Sequence, residues 1–443
     1  MRTVEAGNEV IDPADETLES MGDRTGAVAG INGGYFDINA TGQPTGGAVV
    51  DGQIDKSTPS GYNAELSVLA NGTMTIGQEN FAGTITDGTA SEPLTSINIP
   101  SDAAAGHITE VTPVLAATAQ ALSTAATVVT GTVSGPQSAQ TLTVTTVTTG
   151  VKTLAIPAAG TEDLVGAGAG GTWLSGNVKA GDTVSIAQGL SPAAGSTQDS
   201  SVTQLVTAPT QLIKDGQAYN DPTGQPPSGI NPETAVGISK DGKHAIFVTL
   251  DGEQGESTAV GVTPAQVTGY LLEHGAYNAV LLDGGGSTEI DARVPGSSGL
   301  SVLNTPSDGP ERPVANGLFV YTTAQQAGPA VNVVVNGGQP VATVPSSLGT
   351  WAGGQFTAKR AGTGLLYGRD GRVQTVQHIG GDNQSALTLP IADPASHVWS
   401  SSDARVASVS ADSGVVTAHH PGAVTISVSS GGVTASVALT VTS

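Results

Sequence analysis

The sequence predicts an α+β, strongly β-rich protein: mixed sheets with a few short helices, followed by an all-β sandwich. Three observations predict it. Of the 443 residues only 12% are charged and 3% aromatic, and Gly, Ala, Ser, Thr and Val dominate, which suits short strands joined by glycine turns more than helical bundles. Period-two alternation recurs, as in "TLTVTTVTTGVKTLAI" and "AGDTVSIAQG", the spacing of half-buried strands. Matched helix start and stop signals stand out in two segments.

The first of these is residues 12–25, "DPADETLESMGDRT", with Asp12 as N-cap, Pro13 at the first helical position and Gly26 just past the end. It runs into "AVAGINGGYFD", a small-residue strand ending in Asn32 and two glycines. After "GQPTGGAVVDGQI" (42–54) comes a Ser/Thr/Val/Ala region, about 84–210, which reads as a β-rich insert. Residues 232–255 read as a hairpin around "SKDGK", where Asp-Gly supplies the positive φ of a tight turn, and its second strand ends at Asp251.

The second helix follows, with Thr263 and Gln266 as a capping box, Pro264 in the first turn and Gly275 as the stop. Strand 279–282 then ends in Asp283 and three glycines. Two helix–strand–(Asn/Asp)–Gly-Gly units suggest a pseudo-repeat whose polar strand ends converge on one site.

Near residue 325 the texture changes to Gly/Thr/Val-rich sequence. Residues 397–443 are period-two strands with one Trp as core anchor. The expected domains are 1–325, a β-rich connecting region 326–380, and a sandwich at 381–443; two or three domains is also what the length suggests.

Composition excludes several functions. Thirty-eight acidic against fifteen basic residues give a formal charge of −23, which repels nucleic-acid phosphates and anionic membranes. With no cysteine, disulfides, thiolate nucleophiles and Cys-ligated zinc are out. The start, "MRTVEAGNEV", has no signal-peptide pattern, and nowhere do eighteen uncharged apolar residues run together, so a soluble chain without membrane insertion is expected, any export signal being missing or removed.

Familiar catalytic motifs are also missing. No G-x-S-x-G elbow or H-E-x-x-H helix occurs, and His419 and His420 fall in a sandwich turn. "GAGAGG" (166–171) opens no predicted helix and "DGGGST" lacks the P-loop lysine, so nucleotide binding is not expected. "DINATG" (37–42) begins like a calcium loop, but its twelfth position is Ala48, and a local Asx turn is the better reading.

What remains is a polar set at strand ends: Asn32, Asp37, Asp251, Asp283, Ser287, Thr288, Glu289 and Arg312. Any one alone reads as a turn residue. Together they suggest a cleft, because Asp251 and Asp283 both close apolar strands where a side chain leaves a rigid scaffold.

The motifs "GINGGYFD", "GQPTGGAVVDGQ", "ETAVGISKDGK", "AVLLDGGGST" and "ERPVANGLFV" occur in the order seen in the phosphodiester glycosidase family, which residues 12–322 resemble. The C-terminal "WSSSDARVASVSADSGVVTAHHPGAVTISVSS" resembles a bacterial Ig-like module of group 2. The resemblance implies hydrolysis of a sugar–O–phosphate bond at the anomeric carbon, on glycosyl-1-phosphodiesters of cell-envelope or capsular glycans. It also implies a secreted or cell-surface bacterial protein, with cell-wall association through the Ig-like module.

That chemistry needs a carboxylate beside an oxocarbenium-like centre, for which Asp283 or Asp251 would serve, and a cationic clamp on the departing phosphate, for which Arg312 is the candidate. Asn32, Gly33, Asp37, Gly284, Gly285, Gly286, Ser287, Thr288, Glu289 and Asn316 are the expected substrate contacts, the glycine-flanked N–H groups at 284–287 among them as phosphate donors. Tyr35 and Phe36 would stack on a sugar face or belong to the core.

No cofactor and no metal ligand set are expected. A calcium ion in the acidic loops would supply positive potential, but no loop carries the full ligand pattern. Two departures bear on activity: the family's Asp-Gly-Arg is Asp251-Gly252-Glu253 here, and the region before the first helix is shorter, so an N-terminal strand or two is expected to be missing. The competing readings are a non-catalytic carbohydrate-binding surface protein with the same fold and a structural surface protein made of spacers.

Overall fold

The structure, a computed structural model, describes residues 1–59, 64–192, 202–222, 224–253, 259–293, 299–321, 398–410, 416–430 and 433–441, and between 330 and 387 the backbone of seven strands. It is β-rich with a few short helices. The chain divides into two units, Met1–Arg293 with Gly299–Tyr321, and Val294–Ser298 with Thr322–Ser443.

Among the described residues the first unit holds four sheets. One orders Arg2–Glu5, Asn316–Val320, Ala29–Asn32, Ile290–Ala292 and Ser301–Val302, all antiparallel. A second orders Gln53–Lys56, Ala48–Val50, Val202–Ala208, Ala64–Leu69 and Met74–Gly77. A third orders Gln217–Ala218, Thr210–Lys214, Asn278–Leu281, Glu233–Ile238 and Ala245–Leu250. These three share one core, in which Ile31, Leu66, Val206, Val236, Val280, Leu282 and Leu318 meet.

The fourth sheet has eight strands between Glu79 and Pro192 and is built around the long hairpin Gln120–Ser134 and Gln140–Leu154. Its own core gathers Ile85, Leu142, Leu164, Leu174 and Val184. Val202–Ala208 pairs instead with Ala48–Val50 and Ala64–Leu69, so the chain is back in the second sheet before residue 210.

Four α-helices are present among the described residues: α1 (Leu18–Thr25), α2 (Pro100–Ala104), α3 (Gly168–Asn177) and α4 (Pro264–Glu273). In α4 the Thr263/Gln266 capping box and the early proline are as the sequence predicts. In α1 the start differs: Thr17, not Asp12, is the N-cap, accepting from Ser20 N–H, and Gly26 closes the helix in the left-handed region. Asp12 instead accepts from Ala14 N–H in a turn, and Glu16 bridges to Val314, so tertiary pairing delays the helix.

A second correction concerns "GAGAGG", which does open a helix, α3. Glycine obscures the helical pattern there because packing demands it: a Cβ at Gly170 would lie 2.5 Å from His107 O, and one at Gly171 2.6 Å from Gly166 O. The hairpin forms around "SKDGK" as the sequence predicts, Glu233–Ile238 pairing antiparallel with Ala245–Leu250, Ser239 N–H donating to His244 O and Gly242 supplying the positive φ; the hairpin's end at 254–255 lies outside the described residues.

In the second unit, Val398–Ser401, Gly422–Ser430 and Val433–Val441 form one sheet and Ala386–Leu387, Val416–Ala418 and Ala407–Val409 another. Trp399, 9% exposed, packs with Ala407, Val416, Val424 and Ile426, the inter-sheet core that the period-two pattern predicts. His419 lies in a turn, its Nε2 2.8 Å from Ser408 Oγ.

Candidate active site

Two strands from different sheets end at one place. Ile31 and Leu282, the residues just before Asn32 and Asp283, are fully buried in the same core, which fixes where both polar ends emerge. Asp283 N–H donates to Gly33 O (3.0 Å), and Asn32 Nδ2 donates to Asp283 O (2.8 Å). The Asn32 amide oxygen accepts from Thr234 Oγ1 (2.8 Å) and Glu289 N–H (3.1 Å). Asn32 is therefore a buried clamp on three chain segments, with no donor or acceptor left pointing at a ligand. Gly33 is required by close approach, since a Cβ there would lie 1.8 Å from Asn316 Oδ1.

Beyond the junction the "DGGGST" loop turns through Gly285 at φ +60° into a single 3-10 turn, Gly285–Ser287. The N–H groups of Gly285, Ser287 and Thr288 bond to Pro232 O, Gly284 O and Gly285 O, so most of the backbone donors expected to face a phosphate are consumed by the turn itself. Gly284 N–H favours the charged form of the Asp283 carboxyl.

Asp283 is half-buried. Burial pushes its carboxyl up to about 6, against the opposing effects of the Ser287 hydroxyl, Arg312 and Gly284 N–H. A second carboxylate shares this environment. Glu233, the fully buried first residue of Glu233–Ile238, is pushed up to about 7, chiefly by burial, with the Asn231 side chain opposing and the Asp283 charge adding. Its Oε2 would lie 3.0 Å from a Cβ at Gly284. Tyr35 feels the same pair: burial, then the charge of Asp283, then that of Glu233 push its phenol up to about 12.

Arg312 supplies the positive charge. Its Nε and Nη2 both lie 2.7 Å from Asp308 Oδ2, and Nη1 donates to Ser287 Oγ at 3.3 Å. Ser287, 1% exposed, thus bonds Arg312, and its hydroxyl favours the charged form of Asp283. A Cβ at Gly286 would stand 2.0 Å from Arg312 Nη2, so the middle glycine leaves room for the guanidinium. The Arg312 side chain remains 27% exposed, enough to meet a solute.

The structure thus brings together Asp283, Ser287, Gly284–Gly286 and Arg312, with Gly33 behind them, and adds Glu233 and Tyr35. Asp251 has other partners: its carboxylate accepts from Asn304 Nδ2 (3.2 Å) and Thr305 N–H (3.2 Å), while Asn304 also bonds Thr288 O and Ile290 N–H. Through Asn304 it is tied to the backbone of the Thr288–Ile290 segment. Asp37 accepts from Thr41 N–H and Oγ1 (3.2 and 2.9 Å), a local turn. Thr288 and Asn316 are buried, Phe36 packs on an apolar core, and Glu289 joins a separate acidic group with Asp291 and Glu311. Glu253, where the family has arginine, is exposed.

Sequence reasoning missed Glu233 by counting it as an ordinary strand residue. The available signal was its position: an acid opening a run, "ETAVGI", whose residues are all buried, although carboxylates are rarely buried without a function or a partner.

Residues 123–321 match the phosphodiester glycosidase family and residues 383–441 the bacterial Ig-like domain (group 2); Glu233, Asp283 and Arg312 fall inside the first match. No curated protein matches the chain. Among solved structures, a Burkholderia pseudomallei protein described as exported is 21% identical with TM-score 0.56, covering 72% of this chain and 71% of that one. A hypothetical protein from Synechocystis is 19% identical with TM-score 0.55, covering 71% of this chain and 55% of that one. The catalytic domain of zebrafish N-acetylglucosamine-1-phosphodiester alpha-N-acetylglucosaminidase, auto-inhibited by its pro-peptide, is 17% identical with TM-score 0.34, at 72% coverage of each. The two higher scores concern the fold. The segment that matches the phosphodiester glycosidase family thus carries both Asp283 and Arg312, and a C-terminal segment matches the bacterial Ig-like domain of group 2.

Proposed function

We propose that the protein hydrolyses glycosyl-1-phosphodiesters, releasing a free sugar and a phosphomonoester. The observation that carries this reading is the half-buried Asp283 with the buried Glu233 and Arg312 in its environment, inside the family-matched segment. At neutral pH Asp283, the lower of the two, is mostly ionised and stabilises positive charge at the anomeric carbon as the C1–O bond breaks. The bond's electrons leave on the phosphate oxygen. Water then adds its oxygen to C1 and gives up a proton, so that one C–O bond replaces another.

Glu233 retains a proton in a larger fraction of molecules near pH 7 and is the donor to the departing oxygen. Arg312 neutralises the phosphate with guanidinium N–H groups not engaged by Asp308 or Ser287. That local charge answers the difficulty of an anionic substrate meeting a chain of formal charge −23. Tyr35 provides an aromatic wall for a sugar face. None of these steps calls on a cofactor.

We place the substrate among envelope or capsular glycans and the protein at the cell surface, a reading supported by the Ig-like domain. Among the described residues no helix is long and apolar enough to cross a membrane. The pairing of Arg312 with Asp308 favours one second reading, glycan binding without turnover, because the clamp is partly neutralised. The two separate in one screen of the full chain on sugar-1-phosphodiesters, read by released reducing sugar. Release that falls in Asp283→Asn and Glu233→Gln supports hydrolysis; glycan binding without release from any substrate refutes it.

A further inference from the structure

We propose that Glu289, Asp291 and Glu311 form a site for a hard divalent cation, with calcium the best fit, that ties together the two loops holding Ser287 and Arg312. One carboxylate oxygen from each residue lies within 4.8 Å of the others. Alternation about the strand Ile290–Ala292 puts residues 289 and 291 on the same face, and Glu311 arrives from the segment just before Arg312.

A second observation points to a ligand. Asp291 is fully buried and Glu289 2% exposed, yet both Asp291 carboxylate oxygens and Glu289 Oε1 have no hydrogen-bond partner among the described residues. Burying a carboxylate unpaired is costly, and burying several together multiplies the cost. Among the described residues no Lys, Arg or His forms an ion pair with any of the three; Arg293, just past the strand's end, donates to Ala27 O instead. Helix α1 adds acids rather than bases: Glu19 N–H donates to Glu311 Oε1 (2.7 Å), and Asp23 accepts from Leu300 N–H.

The donor set decides the class of ion. Oxygen alone, from carboxylates, selects hard cations over zinc or copper. Two calcium ligands on opposite sides of the ion stand about 4.8 Å apart, and two free oxygens on Asp291 suit calcium's tolerance of bidentate carboxylates better than magnesium's octahedron. Glu289 N–H is already held by Asn32, and Ser287 and Arg312 bond each other. An ion bridging residues 289 and 311 would therefore fix both partners of that contact, making Glu289 a positioning residue rather than a substrate contact.

The test is binding and stability, independent of turnover. The full chain is stripped with EDTA, then Tm is followed against calcium, magnesium and manganese, and retained metal is measured after gel filtration. Expected are one calcium per chain and a Tm that climbs with calcium concentration. Asp291→Asn, and separately Glu311→Gln at the half-exposed ligand, should lose both, while remaining at least as stable as the parent in EDTA because a repelling charge is gone. No retained metal with an ion-independent Tm overturns the proposal, as does a calcium response that survives in both variants. A response confined to magnesium or manganese overturns the choice of calcium.

Discussion

The charge states of Asp283 and Glu233 set a narrow pH window for turnover. The proposed reaction needs Asp283, at about 6, ionised and Glu233, at about 7, protonated. Activity then falls below the first value as Asp283 gains its proton and above the second as Glu233 loses its own. For two such groups the competent fraction peaks near pH 6.5 at roughly 0.6 and drops about 20-fold two pH units to either side. Glu233→Gln removes the group responsible for the alkaline limb, leaving only the acid limb, and should lower kcat by about 10²-fold, the small end of the usual range because phosphate is already a good leaving group. The assay is kcat/KM for reducing-sugar release between pH 4.5 and 8.5 at constant ionic strength, for parent and variant. An alkaline limb that persists in Glu233→Gln refutes the assignment, and a flat profile in the parent refutes the pair.

Three further outcomes follow from the same geometry. Arg312→Lys keeps the charge but loses the fork shared between Asp308, Ser287 and substrate, and should cost roughly 10²–10³ in kcat/KM, checked on the same substrate. Asn32→Ala removes bonds to Asp283 O, Thr234 and Glu289 and should lower stability by about 3 kcal/mol at about 1 kcal/mol each, measured by denaturant unfolding. Glu65 is pushed up to about 8, chiefly by burial, with the Thr58 hydroxyl opposing. The folded protein holds that proton more tightly than the unfolded chain, so stability is greatest below the unfolded value of about 4.3 and declines as pH rises towards 8; Glu65→Gln should flatten the decline between pH 5 and 8.

Features with local causes were legible from residues alone. The α4 capping box, the Gly26 stop and the alternating strands each depend on residues within a few positions of one another. The expectation that Asn32 and Asp283 end their strands at one place rested on a repeated local grammar, and the two strand ends do meet. The local signal failed where partners come from afar. Asp12 is a better N-cap on paper than Thr17, but Glu16 bridges to Val314 before the helix starts. The glycines of "GAGAGG" hide α3 because they answer to His107 and to the preceding strand rather than to helix propensity.

By itself the sequence determined the β-rich class, the polar strand ends, the glycine turn after Asp283 and the family these resemble, because periodicity, capping and turn chemistry act over a few residues. Only the tertiary structure decided that Glu233 shares the environment of Asp283, that Asp251 is bonded by Asn304 and Thr305, that Asn32 is consumed as a clamp, and that Glu289 faces Asp291 and Glu311. Burial and long-range pairing settle a carboxylate's partners and charge, and both arise only when separate sheets close over one core.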